Sequence, residues 1–187
     1  MGYAKLFGFC YLAAVSVVMT TTAPLCSANR PVTVCEMLTN LDLYRGKIIA
    51  VRAILRGGRH GEFLQDAYGD EPCEGVSKRG HAWPPAVAIT QYTRGSDVED
   101  GPATFESDTE EIRTALAEAR DQVRVHSGLA IVATFTGELR ARKDIQIVRD
   151  PEGGYYGTGY GQGGQYPALL VLKTVRDVNI VKKGTAR

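Results

Sequence analysis

The chain has 187 residues, a length typical of one compact domain, and its 22 basic and 21 acidic side chains nearly cancel. Hydrophobic residues make up 44% of the chain and charged residues 23%, which excludes a wholly disordered chain, a collagen-like chain and a polytopic membrane protein. The near-neutral charge argues against a dedicated DNA-binding protein, because such proteins usually carry a strongly basic domain.

The first 28 residues have the pattern of a secretory signal peptide. Lys5 supplies a positive charge, an uncharged and mostly apolar stretch follows over residues 6–19, and Ala28 offers a small residue before a cleavage site. A membrane-spanning helix needs about 20 apolar residues, more than this stretch supplies. We therefore predict that residues 1–28 are removed and that residues 29–187 form a single domain without a permanent membrane span.

The predicted location is outside the cytoplasm, either periplasmic or secreted. Cleavage after Ala23 is an alternative to cleavage after Ala28. Leu25 precedes Cys26, where a lipoprotein would carry a small residue, so we expect no lipid anchor. Removal of residues 1–28 leaves 21 basic against 21 acidic residues, and this neutrality argues against a global electrostatic steering role.

Two cysteines, Cys35 and Cys73, follow the predicted cleavage site, and export places them in an oxidising compartment. We predict that they form a disulfide. A catalytic thiol or a metal site is the alternative, but the sequence contains no C-x-x-C spacing to support one.

The elements of the domain follow from capping signals and hydrophobic periodicity. Thr33 and Glu36 form a capping box, which predicts a short helix. Alternating apolar side chains predict five strands, and an apolar stripe preceded by capping residues predicts a longer helix. The predicted elements are the short helix 34–40, strands 47–56, 62–67 and 86–91, the helix 106–125, and strands 129–142 and 168–181. The last strand carries a bulge between Lys173 and Asp177, where its alternation slips.

This order of elements indicates a mainly β fold with one main helix. In the OB-fold, five strands close a small Greek-key barrel, and the helix usually lies between the third and fourth strands. We expect this five-stranded OB-like barrel, with a short N-terminal helix before it. A five-stranded open sheet packed on one helix is the alternative.

Four short runs carry a resemblance to a known group of proteins. These are VCEML (34–38), YRGKIIAVR (44–52), GYG (159–161) and YPALLVL (166–172). They resemble uncharacterised exported bacterial proteins with an OB-fold-like domain, over most of residues 32–181. More distantly, the group is similar to nucleic-acid-binding OB domains of the tRNA-anticodon type. The resemblance implies an OB-like fold and a binding face of basic and aromatic residues.

A tract rich in glycine and tyrosine, residues 151–166, lies before the last predicted strand, where OB-folds often place a binding loop. Its tyrosine rings can stack on a ligand, and its glycines allow close approach. With two strand arginines the predicted binding residues are Arg52, Arg56, Tyr155, Tyr156, Tyr160 and Tyr166. In the alternative interpretation, the arginines pair with Glu138 and its neighbours and the tyrosines pack on the rim of the barrel.

The sequence favours a non-enzymatic, exported binding module of unknown ligand. The expected partner is an envelope protein, a peptide or a glycan, and the neutral charge argues against nucleic acid. We expect no cofactor and no metal, because the three histidines share no metal-ligand spacing. A structural or assembly protein of the cell envelope is an alternative. A metal-dependent, nuclease-like hydrolase is another, with Arg52, Asp66 and Arg140 as its candidate residues.

Overall fold

The computed structural model describes residues 30–58, 61–66, 77–78, 81–149, 151–152 and 154–183. The predicted signal peptide and Cys73 lie outside the described residues. The helices are α1 (Val34–Thr39), α2 (Leu41–Tyr44) and α3 (Thr109–Val125). The strands are β1 (Val32–Thr33), β2 (Ile48–Gly58), β3 (Gly61–Asp66), β4 (Ser77–Lys78), β5 (His81–Ala82), β6 (Ala86–Gln91), β7 (Leu129–Arg140), β8 (Ile147–Arg149), β9 (Tyr155–Gly157) and β10 (Leu169–Lys182).

The main sheet has six strands in the order β1-β2-β3-β6-β10-β7, and β2 pairs with β7 as well. The pairings therefore lead from β2 through β3, β6, β10 and β7 back to β2. The β6–β10 and β1–β2 pairs are parallel, and the other pairs of this sheet are antiparallel. Two short ribbons, β4–β5 and β8–β9, lie outside the main sheet.

The mainly β class with one long helix is confirmed. The predicted strands correspond to β2, β3, β6, β7 and β10 within a few residues at each end. The main sheet also contains β1, which the sequence analysis did not assign, because two residues are too short for a detectable alternation. The other unassigned elements, α2, β4, β5, β8 and β9, are also short, with two to four residues each.

The core lies on one face of the long strands and under α3. Val51 and Ala53 of β2, Phe135 of β7 and Leu170 of β10 are fully buried, as period-two alternation requires. Burying such apolar side chains supplies the main favourable free energy of folding, roughly 1.5–3 kcal/mol for each large one. On α3, the buried side chains fall on one stripe. They are Ile112, Leu116 and Ala119.

The start of α3 is set by Asp108, whose carboxylate accepts a hydrogen bond from the backbone N–H of Glu111 at 2.9 Å. The helix was expected to begin at residue 106 and begins at Thr109 instead. The reason is that Ser107 is buried and its hydroxyl donates to the carbonyl of Leu172 in β10, which keeps this residue outside the helix.

The predicted irregularity in the last strand is confirmed. The pairing of β10 with β7 shifts register between Leu172 and Thr174, and again between Arg176 and Asn179. Asp177 adopts a left-handed backbone conformation with φ of 51° within the second shift. An extra residue on one strand of a pair produces such a shift and re-aims the side chains that follow.

The short helix α1 begins at the predicted cap. The Thr33 hydroxyl accepts a hydrogen bond from the backbone N–H of Glu36 at 3.0 Å. In a full capping box, the Glu36 carboxylate would also accept a hydrogen bond from the backbone N–H of Thr33. Here that carboxylate pairs with Arg30 instead. A second carboxylate, that of Asp66 at the end of β3, accepts from the N–H of Cys35 at 2.9 Å and so ties α1 to the sheet.

None of the helices among the described residues is both long enough and apolar enough to span a membrane. Cys35 is the only cysteine that the structure describes, so its pairing with Cys73 stays a prediction.

Candidate functional site

The candidate site is an open cleft on the outer side of the sheet, with a cavity volume of about 250 Å³. Aromatic rings and proline rings make up most of its wall, and two glutamines supply the amide groups. The described lining residues are Phe63, Gln65, Pro84, Pro85, Ala86, Tyr155, Gln165 and Tyr166. We call this surface the aromatic cleft.

The floor of the aromatic cleft comes from β3. Phe63 and Gln65 are two residues apart and so point to the same face of the strand, while Leu64 between them is fully buried in the core. Arg56 of β2 lies directly opposite Phe63 in the pairing register and shares its outward face. Its Nε donates a hydrogen bond to Gln65 Oε1 at 3.0 Å, which fixes the orientation of the glutamine amide.

The upper wall comes from the glycine–tyrosine tract. The Tyr166 ring stacks on the Phe63 ring, with 5.4 Å between the centroids and 29° between the planes. Burial raises the pKa of the Tyr166 hydroxyl, which therefore stays protonated at neutral pH. Tyr155 of β9 is half-buried, and the Arg149 guanidinium lies 5.9 Å from the centre of its ring.

A group of charged and hydrogen-bonded residues holds the tract in place. Arg142 donates to the Asp100 carboxylate from both Nε and Nη2, at 3.0 and 2.9 Å to Oδ1. Its Nη1 donates to the carbonyls of Thr158 and Gly159, at 3.2 and 3.1 Å. The Tyr160 hydroxyl donates to Asp100 Oδ2 at 2.6 Å. We call Arg142, Asp100 and Tyr160 the tract clamp.

The loop that carries Asp100 is itself fixed from β7. The Arg140 side chain is only 7% exposed, and its Nη1 donates to the carbonyls of Glu99 and Gly101. Its Nε donates to the Glu138 carboxylate at 3.2 Å, so the buried guanidinium has an opposite charge beside it. Arg140 therefore positions the tract clamp and, through it, the wall of the aromatic cleft.

The structure brings together half of the predicted binding residues. Tyr155 and Tyr166 line the aromatic cleft, and Arg56 lies directly beside it. Tyr156 points to the opposite side of β9 and is 53% exposed. Tyr160 is fully buried in the tract clamp and does not line the cleft.

The sixth predicted residue, Arg52, lies elsewhere. It shares the outward face of β2 with Arg56, but four residues along a strand correspond to about 13 Å. Its Nη1 donates to the Asp177 carbonyl at 2.7 Å and to the Thr134 hydroxyl at 3.4 Å, which joins β2 to the second register shift of β10. Arg52 therefore does not contribute to the aromatic cleft.

The residues of the alternative hydrolase do not meet. Arg52 donates a hydrogen bond to β10, and Asp66 accepts one from the N-terminal end of α1. Arg140 donates to the loop that carries Asp100. Among the described residues, no cluster of three or more histidine, cysteine or acidic side chains could hold a metal ion.

Several residues of the cleft were not predicted from the sequence. Phe63 and Gln65 alternate with buried Leu64, so their outward direction was detectable, but nothing along the chain indicated which element covers them. Pro84 and Pro85 lie directly before the predicted strand 86–91 and carry no binding signal of their own. Gln165 lies within the glycine–tyrosine tract, beside Tyr166, and was not among the predicted binding residues.

Comparison with known proteins gives no match: no protein-family model, no curated protein and no solved structure is significantly similar to the chain.

Proposed function

We propose that the protein is a non-enzymatic binding module and that the aromatic cleft holds its ligand. The observation that carries this proposal is the convergence of Phe63, Tyr155 and Tyr166, from three separate segments, on one open cavity of about 250 Å³. Ligand sites are typically concave, largely apolar and aromatic, with a few polar groups that orient the ligand. Gln65 and Gln165 are such polar groups in this cleft.

We further propose that the ring of strand pairings is a five-stranded Greek-key barrel of the OB type, formed by β2, β3, β6, β7 and β10. Three features support this assignment: the pairings return to β2, the long helix α3 lies between β6 and β7, and the strands follow the expected order in the chain. In OB-folds, the second and third strands and the loop before the last strand form the binding face. The aromatic cleft lies on β3, the start of β6 and the tract before β10.

The tract clamp supports a binding role because it prepares the cleft in advance. Arg142 and Asp100 hold Tyr160 beside the sheet, so the neighbouring Tyr155 and Tyr166 need little further ordering when a ligand arrives. Preorganisation of this kind lowers the entropic cost of binding and leaves more of the contact energy as affinity.

We also propose that the protein acts outside the cytoplasm, in the periplasm or as a secreted protein. The signal-peptide pattern of residues 1–28 supports this location. A disulfide between Cys35 and Cys73 is consistent with it, since such bonds persist in oxidising compartments.

The binding role is tested by comparing two neighbouring tyrosines. The wild-type protein and the variants Tyr155→Ala and Tyr156→Ala are immobilised and incubated with fractionated cell-envelope material. The retained components are identified by mass spectrometry and titrated individually against each protein. We expect a component that binds the wild type and Tyr156→Ala equally but is lost from Tyr155→Ala.

Tyr156→Ala is the matched control, because Tyr156 lies next to Tyr155 and points away from the cleft. Far-ultraviolet circular dichroism establishes that both variants fold. If every retained component binds Tyr155→Ala as tightly as the wild type, the aromatic cleft is not the binding site and the proposal fails.

A further inference from the structure

We propose that the ligand of the aromatic cleft is a proline-rich peptide segment in the polyproline II conformation. This inference rests on the proposed binding function and assigns it a class of ligand. It follows from three properties of the cleft: the direction of its hydrogen-bonding groups, the arrangement of its rings and the absence of charge from its described lining.

Several hydrogen-bond donors of the cleft are available to a ligand. Gln65 Oε1 already accepts from Arg56 Nε at 3.0 Å, so the amide turns its Nε2 hydrogens outward. Among the described residues, nothing accepts a hydrogen bond from Gln65 Nε2 or from the hydroxyls of Tyr155 and Tyr166. Within the described ranges, the Gln165 amide likewise has no hydrogen-bond partner.

A polyproline II segment has the complementary chemistry. Its backbone makes no internal hydrogen bonds, so its carbonyl oxygens are free to accept, while each proline lacks an N–H to donate. The amide and hydroxyl donors of the cleft could therefore form hydrogen bonds with the free carbonyl oxygens of the ligand.

The rings of the cleft match the shape of such a ligand. Tyr166 and Phe63 stack at 29°, and Tyr155, Pro84 and Pro85 extend the apolar wall. Grooves lined by aromatic residues are a recurring site for proline-rich segments, because pyrrolidine rings pack on the faces and edges of the aromatic rings. The stiffness of polyproline II also reduces the entropy lost on binding.

Nucleic acids and glycans are the other extended ligands that a cleft of this kind could bind. None of the described lining residues is charged, and Arg56 beside the cleft is a single cation already hydrogen-bonded to Gln65, whereas nucleic acids bind mainly through several basic residues that contact phosphates. A glycan presents hydroxyl groups that both donate and accept, and the Gln165 carbonyl and the tyrosine hydroxyls could bond to it, so glycans are the main competing class. These two classes are therefore the competing outcomes of the test.

The test uses three defined probes and the ¹⁵N-labelled purified protein, followed by NMR. The probes are acetylated decaproline amide, maltoheptaose and an oligothymidylate, and a glycine–serine peptide of equal length is the control for decaproline. We expect saturable shifts with decaproline at the backbone amides of β3, β9 and residues 165–166, and none with the control peptide. If decaproline gives no saturable shift at millimolar concentration, the assignment is overturned.

Two variants then test the mechanism. Gln65→Glu keeps the size of the side chain but removes the donor, so decaproline affinity falls by about tenfold or more. Tyr155→Ala removes an aromatic wall and lowers it by about tenfold, whereas Tyr156→Ala changes it by less than about twofold. Decaproline affinity unchanged in both Gln65→Glu and Tyr155→Ala would overturn the assignment.

The outcomes separate the two proposals. If maltoheptaose or the oligothymidylate binds in a Tyr155-dependent way and decaproline does not, the cleft is a binding site with a different ligand class. The polyproline assignment then fails and the proposed function stands. If decaproline binds but shifts amides remote from Tyr155 and Tyr166, the polyproline assignment is overturned, while the proposed function is judged by the comparison of Tyr155→Ala with Tyr156→Ala.

Discussion

The Tyr160 hydroxyl donates a hydrogen bond to Asp100 Oδ2 at 2.6 Å, across 60 positions of the chain. Arg142 holds the same carboxylate from the other side, with Nη2 2.9 Å from Oδ1. Burial alone would raise the pKa of Asp100, but the hydrogen bonds from Arg142 and Tyr160 outweigh it and hold that pKa below its ordinary value of 3.8. Burial and the bond to Asp100 raise the pKa of the Tyr160 hydroxyl, which keeps it a donor.

The lowered pKa of Asp100 predicts a pH-dependent contribution to stability. A carboxyl whose pKa is lower in the folded state stabilises the fold above its unfolded pKa and loses that contribution as pH falls through the folded value. We expect the wild type to be more stable than Asp100→Asn at about pH 7, and the difference to shrink below the ordinary value of 3.8. Asparagine tolerates the left-handed backbone at this position, where φ is 66°.

Urea unfolding of both proteins between about pH 7 and pH 3 measures this difference. A difference in the free energy of unfolding that stays constant over the whole range would show that the Asp100 charge does not stabilise the fold.

Arg142 should contribute more to the free energy of unfolding than an exposed surface arginine does. Arg142→Met keeps an apolar stem but loses the bonds to Asp100, Thr158 and Gly159. The Arg142 side chain is 39% exposed, so solvent screening weakens the ion pair, and we expect a loss of about 1–2 kcal/mol.

Arg113→Met is the control for Arg142→Met. Arg113 pairs with Glu110 on the exposed face of α3, its one ion-pair partner among the described residues, and exposed ion pairs contribute little. Chemical unfolding should place Arg113→Met at the wild-type midpoint. Equal midpoints for the two variants would contradict a structural role for the tract clamp.

Two adjacent glycines of the tract should differ in their tolerance of alanine. Gly163 and Gly164 both have left-handed backbones, with φ of 77° and 61°. Open space surrounds the position of a Cβ at Gly163, whereas a Cβ at Gly164 would collide with the carbonyl oxygen of Gly157. We expect Gly163→Ala to cost about 1 kcal/mol through backbone strain. Gly164→Ala should cost a further 1–3 kcal/mol or so through steric overlap.

Thermal or urea unfolding of the two alanine variants compares them directly. Because the carbonyl of Gly157 belongs to the end of β9, Gly164→Ala should also disturb the NMR signals of Tyr155, which lies in the same strand. Equal stability of the two variants would mean that the tract does not pack as closely as the structure has it.

The predicted disulfide between Cys35 and Cys73 is tested by peptide mapping of the unreduced protein. We expect one linked pair of peptides and no free thiol at either position. In the chain-entropy model, closing a loop of this length stabilises the fold by about 4 kcal/mol, so reduction should lower the unfolding midpoint clearly. Recovery of both cysteines as free thiols from the purified protein would contradict the pairing.

The long elements were predictable because each carries its own signal. The alternation in β2 and β7 and the apolar stripe of α3 repeat over enough residues to exceed chance, and capping residues mark helix starts. The start of α3 was missed by three residues because the hydroxyl of Ser107 bonds to Leu172, more than sixty positions away. Local patterns do not record such a contact.

The candidate site was only partly predictable for the same reason. Composition singled out the tyrosines, and two of them, Tyr155 and Tyr166, line the cleft. The burial of Tyr160 depends on Asp100 and Arg142, which lie in different parts of the chain. Phe63 and Gln65 become lining residues only because the tract folds over β3. The alternation of side chains along β3 cannot show which segment covers them.

The position of β10 between β6 and β7 has a consequence for the order in which the protein folds. The last strand supplies the pairing partner of both. Until β10 has emerged from the ribosome, β6 and β7 each keep an open edge with unpaired backbone groups, and such edges favour aggregation. A chain truncated before Leu169 should therefore need a chaperone to remain dispersed, and a nascent chain becomes self-sufficient only after β10 has emerged.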